Sequence, residues 1–364
     1  MKPETNAFAS WESLRSFIID MFCRVGVTRD DAETVAGALI WANLRGVDSH
    51  GVQLLPWYIE AIKIGHFNIK PDIRIEKESQ ASATIEANLA MGAVVNAFGM
   101  NLAIEKARNT GIGWVFIRNT NHQGALGHYS QMAAMNDMAG IAWVCSIANT
   151  VPYGARAPGT ANNPISISVP RRGQHPLTLD MSTSVAAAQK IAVAKAKGRP
   201  IPEGWALDRE GNPTTDPEKA AVLLPVAGAK GSGLSLMLEC LCSVMVGNPR
   251  LEPVLRGDIL PLWLGTMIGN PERIRRAIQN SAVAAIDIGA FTDTDGYKTH
   301  IENLISGIKK LPRADGCDEI LLPGEPEVRN YEQRMKEGIP IPEKTALTLQ
   351  NLADGLGVEV PWQL

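Results

Sequence analysis

The sequence lacks three features that would assign it quickly. It has five cysteines in 364 residues (Cys23, Cys145, Cys240, Cys242 and Cys317). So small, odd and scattered a set does not make a disulfide framework. Cys240 and Cys242 sit in an apolar helical run with no histidine nearby and read as core thiols. Charge of one sign is also lacking: 35 Lys and Arg stand against 38 Asp and Glu, a net charge of −3. That balance offers no broad basic field for nucleic acid. Nor is there a long hydrophobic run. The longest apolar stretch, Gly231 to Gly247, is interrupted by Glu239 and is too short to span a bilayer. The N-terminus, MKPETNAFAS, has no apolar segment of the kind a secretory signal needs. The expectation is a cytoplasmic chain with no membrane or nucleic-acid partner.

Several nucleotide and hydrolase motifs are missing too. No GxGxxG lies between a strand and a helix; Gly111-x-Gly113 precedes a strand, the wrong order for a Rossmann turn. Gly228-Ala229-Lys230-Gly231-Ser232-Gly233 has the wrong spacing for a Walker A loop, and neither HExxH nor GxSxG occurs. No cluster has zinc or calcium spacing, so no metal is expected.

What is present is ordinary globular composition, 45% hydrophobic and 20% charged. Leu14, Phe17, Ile18, Met21, Phe22 and Val25 form one helical stripe, and Ala32, Val35, Ala36, Leu39 and Ile40 form a second. Thr28-x-x-Asp31 resembles a capping box for the second helix, which should stop near Arg45-Gly46. Strands are expected at 83–88, 114–117, 141–146, 164–169, 176–180 and 282–288, and helices at 92–106, 232–246, 299–309 and 346–355. The Pro- and Gly-rich stretch 198–217 reads as an ordered surface excursion. The mixture predicts an α/β fold with a helical N-terminal part.

Polar loops beside apolar elements are where such folds place chemistry. His50, in Val47-Asp48-Ser49-His50-Gly51, and His122, in Asn119-Thr120-Asn121-His122-Gln123-Gly124, both lie in such loops. Each can exchange a proton near neutral pH or serve as a hydrogen-bonded structural residue. Asp180 ends an apolar strand and needs a partner, either a histidine or the start of the helix that follows. Lys230-Gly231-Ser232-Gly233 opens an apolar helix, which is either an anion site or a capped start with a solvated lysine.

At these residues the sequence resembles the malate/L-lactate dehydrogenase family that is unrelated to Rossmann-type lactate dehydrogenases. That family includes sulfolactate dehydrogenase, ureidoglycolate dehydrogenase, diketogulonate reductase and piperideine-2-carboxylate reductase. The shared words are Arg45-Gly46-Val47-Asp48-Ser49-His50-Gly51, Asn121-His122-x-Gly124-Ala125, Asn163-Pro164-Ile165, Leu179 to Ser184, Ile201 to Ala206, Pro213 to Pro217, and Lys230-Gly231-x-Gly233-Leu234. They run in family order over about residues 10 to 330. The resemblance implies a sulfolactate-dehydrogenase-like fold with a non-Rossmann cofactor domain over 111–299. A helical substrate and dimer part over 1–110 would be joined by 300–364. It further implies a homodimer with its active site near the subunit interface, acting on a small molecule. His122 is then the acid/base group, with Ser49, His50 and Asp180 as a hydrogen-bonded relay. Gln123, Gly124, Ala125 and Leu126 line the cofactor; Ser146, Met181, Ser182, Lys230 and Gly231 are cofactor or substrate contacts. Gly324 and Glu325 belong to a late Pro-Gly loop that closes on the cofactor, with His300 placed nearby.

The chain also departs from the family pattern. Leu54 stands where an arginine usually clamps the substrate carboxylate, Gln123 replaces an aromatic, and His128 replaces a tyrosine. The substrate is therefore open while the redox chemistry is retained. The leading expectation is an NAD(P)-dependent dehydrogenase or reductase moving hydride between the nicotinamide and a 2-hydroxy or 2-oxo acid or a related carbonyl compound. The alternatives are an NADPH-dependent reductase of a cyclic imine and a catalytically silent nucleotide-binding relative. NADP(H) is expected ahead of NAD(H), because the turn Pro170-Arg171-Arg172-Gly173-Gln174-His175 resembles the one near the adenosine ribose. Two guanidinium forks there suit a 2′-phosphate. The other reading of that turn is a solvated hairpin.

Overall fold

The computed structural model describes residues 6–363 except 174 and 266, so Gln174 of the Arg171-Arg172 turn lies outside the described residues. Two helices follow an edge strand, β1 (Asn6–Ala9). Helix α1 (Trp11–Arg24) begins where the Ser10 hydroxyl accepts the Ser13 N–H (3.1 Å), and it buries Leu14, Phe17, Ile18, Met21 and Phe22, most of the predicted stripe. Helix α2 (Arg29–Leu44) is capped by Thr28, whose hydroxyl accepts the Asp31 N–H (3.3 Å). It stops at Arg45 before the left-handed Gly46. Helix α3 (Leu55–Lys63) follows.

The main sheet has seven strands in the order β2-β3-β4-β11-β5-β6-β7. These are β2 (Arg74–Glu78), β3 (Ser82–Glu86), β4 (Ile112–Thr120), β5 (Met138–Cys145), β6 (Ile165–Val169), β7 (Leu177–Met181) and β11 (Gln279–Asp287). Only β3 and β4 run parallel; every other pair is antiparallel. A doubly wound nucleotide fold is built on parallel strands, so the fold is α/β without the Rossmann topology. Helices α4 (Gly92–Thr110) and α5 (Gly127–Ala134) cover one face, burying Val95, Met100, Ile104 and Tyr129 against Val115, Ile117 and Val283. Gly113 allows that approach: a Cβ there would lie 1.8 Å from the Ala103 carbonyl oxygen.

Between β7 and β11 come α6 (Ala188–Ala196), then the short strands β8 (Ala206–Leu207), β9 (Pro213–Thr214) and β10 (Val222–Leu223), which form a small sheet over the Pro- and Gly-rich excursion. Helix α7 (Ala229–Glu239) runs into a π-helical turn, Cys240–Val244, and packs Leu238 and Cys242 on Trp143, Cys145 and Ala282. Short helices α8 (Glu252–Leu255) and α9 (Pro271–Arg275) precede β11. The chain closes with α10 (Thr294–Lys309), α11 (Glu325–Glu337), β12 (Ile339–Pro342) and α12 (Glu343–Asp354). Strand β12 pairs with β1, and Ile339, Ile341, Ala346 and Leu349 enter the core built by α1, α2 and α3. The two chain ends thus fold as one helical body. Among the described residues no helix is long and apolar enough to cross a membrane, and no group of three metal-ligating side chains occurs.

Candidate active site

The segment after α2 is held in place by its own sequence. The Asn43 side chain donates to Asp48 (2.7 Å) and accepts the Val52 N–H (2.8 Å). Arg334 of α11 forks the Asp48 carboxylate (2.6 and 3.0 Å) and donates to the Asn43 carbonyl. Gly51 has no room for a side chain, since a Cβ would lie 2.3 Å from the Asn43 amide. Asp48 and Gly51 are therefore anchors, and the two residues between them, Ser49 and His50, are presented in a 3₁₀ turn.

Ser49 Oγ and His50 Nδ1 are 2.9 Å apart. The His50 ring stacks on His122 at 5.5 Å between centroids and 20° between planes. Trp57 of α3 packs on the far histidine at 4.9 Å, and Tyr58 Oη is 2.7 Å from His122 Nδ1. Burial lowers His50 to about 4, and burial with the neighbouring His50 lowers His122 to about 3, so both rings are neutral near pH 7. Tyr58 and Trp57 complete the corner around the two histidines but carry no motif. Their only sequence signal is a buried aromatic whose polar tip needs a partner.

A cleft of about 510 Å³ opens beside this corner. Its wall includes Ser49, His50, Gly124, Ala125, Leu126, Asp180, Met181, Ser182 and Gly324, so nine of the expected site residues converge there. Water in the cleft reaches Asp180, yet protein surrounds it. Burial raises its carboxyl to about 6, against the lowering effect of the Gly127 N–H, with Glu327 adding to the rise. Its hydrogen bond goes to that N–H (2.7 Å) at the start of α5, not to a histidine. The relay expected from Ser49, His50 and Asp180 is thus joined only in its Ser49–His50 half. Asp180 caps a helix, though not the one that follows it in sequence. Gly127 makes the contact fit, because a Cβ would meet both Trp41 (2.6 Å) and the carboxylate (3.1 Å).

Two further hollows adjoin the cleft. One of about 310 Å³ is lined by Arg171, Arg172, His175, Glu325 and Arg329, and it shares Pro176, Pro323, Gly324 and Val328 with the cleft. There Glu302 of α10 already holds Arg171 through two 2.9 Å contacts, and Arg172 donates to Thr299 (3.0 Å). Glu325 pairs with Lys309. The other hollow, about 520 Å³, is lined by Leu54, Gln53, Trp57, Met267 and Lys344, with Ser49 on its border with the cleft. None of these three linings includes His122, Gln123, His128, Ser146, Pro170, Lys230, Gly231 or His300. His122 stands behind His50, on which it stacks, and His50 lines the cleft. Gln123 is buried with both amide atoms unpaired, and His128 packs edge-on to Trp41 and Tyr129. Ser146 is tied through its N–H to Asn163 (3.3 Å), while Lys230 and His300 are exposed. Gly231 serves packing: a Cβ would lie 2.2 Å from the Val226 carbonyl oxygen.

The family model for malate/L-lactate dehydrogenase matches residues 9–350, and the chain belongs to that family. A malate/(S)-sulfolactate dehydrogenase from Methanothermus fervidus is 36% identical over 96% of this chain and 98% of its own length. An NAD(+) ureidoglycolate dehydrogenase from Escherichia coli O157:H7 is 32% identical over 91% and 92%. The solved sulfolactate dehydrogenase of Methanocaldococcus jannaschii superposes with a TM-score of 0.85 at 36% identity, covering 97% and 98% of the two chains.

Proposed function

From that family membership we propose that the protein is an NAD(P)-dependent oxidoreductase moving hydride between a nicotinamide cofactor and a 2-hydroxy or 2-oxo acid or a related carbonyl compound. The observation that carries the reading is the convergence of the Ser49–His50–His122–Tyr58 corner with the 510 Å³ cleft. The cleft residues suit a dinucleotide. Gly124 has a left-handed φ of 76° and faces open space that a side chain would fill. The wall mixes apolar Ala125, Leu126 and Met181 with polar Thr178, Asp180 and Ser182, the usual composition of a small-ligand site.

The chain's own groups handle the proton. His122 is the acid/base, and Tyr58 holds its Nδ1. In the oxidative direction the neutral ring is already a base: in the tautomer whose Nδ1–H donates to the Tyr58 oxygen, Nε2 offers its lone pair to the substrate hydroxyl. In the reductive direction the ring must gain a proton before giving one. Burial holds it neutral, and a carboxylate arriving alongside raises its proton affinity, so protonation is coupled to substrate binding.

The finer readings are proposals of the same kind. Residues 111–299 form the cofactor part, and 1–110 with 300–364 the substrate part. NADP(H) is preferred through Arg172 and, where the 2′-phosphate displaces Glu302, through Arg171. A cyclic imine is a second substrate class, because Leu54 removes the cation that would select a carboxylate at that position. The protein works as a homodimer. Helix α7 and the π-helical turn that continues it are apolar on both sides: Leu238 and Cys242 pack on the sheet while Leu234, Met237, Leu241, Val244 and Met245 stand exposed. A helix apolar all round belongs in an interior, and a second copy would supply one. Five unpaired thiols fit a reducing cytoplasm. The test is fluorescence titration with NADH and NADPH followed by turnover on oxo acids, ketones and cyclic imines. Tight dinucleotide binding with turnover of one class is expected. Failure to bind either dinucleotide contradicts the reading.

A further inference from the structure

Among the described residues, Arg45 is the strongly basic side chain of the cleft wall, and it is buried, at 6% exposed. Its guanidinium lies 4.7 Å from the Trp41 ring and 5.5 Å from the Tyr331 ring. One N–H donates to Gln131 Oε1 (2.9 Å), an oxygen that also accepts the Trp41 indole N–H (3.2 Å). Gln131 is fixed in turn by its donation to Thr178 (2.9 Å). No other side-chain donor of Arg45 meets an acceptor among the described residues, and its Nε is buried and unpaired. It makes no ion pair among them either. Burial holds the guanidinium below its ordinary range, against the raising influences of Tyr331 and then Glu327.

A buried arginine without a carboxylate is costly, because desolvation weakens the charged form and the stacked rings repay only part of that. Such a side chain is kept where an anion arrives to complete it. The aromatic rings and Gln131 fix the plane of the fork, and a fork of fixed plane binds a two-oxygen anion better than a flexible ammonium does.

We propose that Arg45 is an anion-binding residue of the cleft, taking two oxygens of a bound ligand: the carboxylate of the acid or a phosphate of the dinucleotide. The assignment rests on the dehydrogenase reading of the same cleft. It puts a positive charge in the cleft, which shares Ser49 with the hollow that Leu54 lines.

The experiment compares wild type, Arg45→Met and Arg45→Lys in three titrations. The probes are NADH alone, oxamate added to the NADH-saturated protein, and inorganic pyrophosphate or oxalate followed by the melting temperature. Met keeps the stacking volume and removes the charge. If the anion is a phosphate, Arg45→Met weakens NADH by about 10- to 100-fold. If it is the carboxylate, NADH binding stays within twofold and oxamate weakens by that factor. Lys recovers part of the loss in either case. Arg45→Met that binds both probes as wild type does, at an unchanged melting temperature, overturns the proposal. Should Arg45→Met not fold, the wild type decides: stabilisation by pyrophosphate or oxalate that Arg45→Lys reduces supports it, and no stabilisation by either ion contradicts it. A wild type that binds neither dinucleotide but is stabilised by these anions sinks the dehydrogenase reading and leaves the Arg45 site standing.

Discussion

The two sides of the cleft are built on opposite principles. In the corner of Ser49, His50, His122 and Tyr58 the hydrogen bonds are made within the protein and both rings are neutral. On the facing wall Arg45 leaves most of its donors unused, and Asp180 is raised to about 6 with a single backbone N–H for company. A closed, neutral set of partners suits a group that must pass one proton in a fixed direction. An open, charged wall suits groups that wait for a ligand's charge. On the function proposed above, the difference would give proton transfer to the corner and recognition to the wall.

The contrast can be broken most severely at Tyr58. Tyr58→Phe removes the hydrogen bond on His122 Nδ1 and should lower kcat by about 10- to 100-fold, with dinucleotide affinity unchanged and the pH profile shifted. A change in affinity alone would place Tyr58 on the binding side instead. Leu54 sharpens the contrast next. The wild type should use malate and lactate at least about tenfold less well than its best substrate, since a bidentate arginine–carboxylate contact is worth roughly 1.5–3 kcal/mol. Leu54→Arg should improve 2-oxo acid reduction in kcat/KM, and malate or lactate oxidation matching good substrates in the wild type would refute the assignment.

The Arg171-Arg172 turn probes the cofactor end of the wall. Arg172→Ala should cost NADPH about 5- to 50-fold in kcat/KM and spare NADH. Glu302→Gln, which frees Arg171, should favour NADPH by a smaller factor. Equal losses for both cofactors in Arg172→Ala, or a wild type that prefers NADH, would contradict NADP(H) selection.

The smallest effect is on stability. His50, His122 and His128 are held at about 4, about 3 and about 4, against 6.5 for an unperturbed imidazole. Their folded values are depressed, so the stability they confer is whole above pH 6.5 and is lost as pH falls toward 4, where the unfolded chain takes up protons the folded one refuses. Asp180, raised from 3.8 to about 6, works the other way: its contribution is whole below 3.8 and lost as pH rises through 6. Three histidines outweigh one carboxylate between pH 6.5 and 4, so the melting temperature should drop by several degrees from about pH 7.5 to about pH 5. A rise over that interval would show the corner to be solvated.

Much of this was legible in the residues. The α1 and α2 stripes, the Thr28 cap and the stop at Gly46 follow from local spacing, and the strand runs from short apolar blocks. What periodicity cannot show is which partner a polar group finds across the fold. Asp180 has Gly127 rather than a histidine because α5 starts beside β7, 53 residues away in the chain. Arg45 and Tyr58 matter through α11 and the His122 loop, contacts that no single segment encodes. Arg171 read as a free cation because Glu302, 131 residues on, is invisible from the turn.

The most direct measurement uses His122→Ala beside the wild type, with dinucleotide titration and single-turnover oxidation of NADH or NADPH by the best substrate on the same preparations. A positioned acid contributes about 10²–10⁴-fold. The account predicts dinucleotide binding within threefold of wild type and turnover slower by at least about 100-fold. Turnover within twofold of wild type would remove His122 from the chemistry, and loss of dinucleotide binding together with turnover would erase the division between corner and wall.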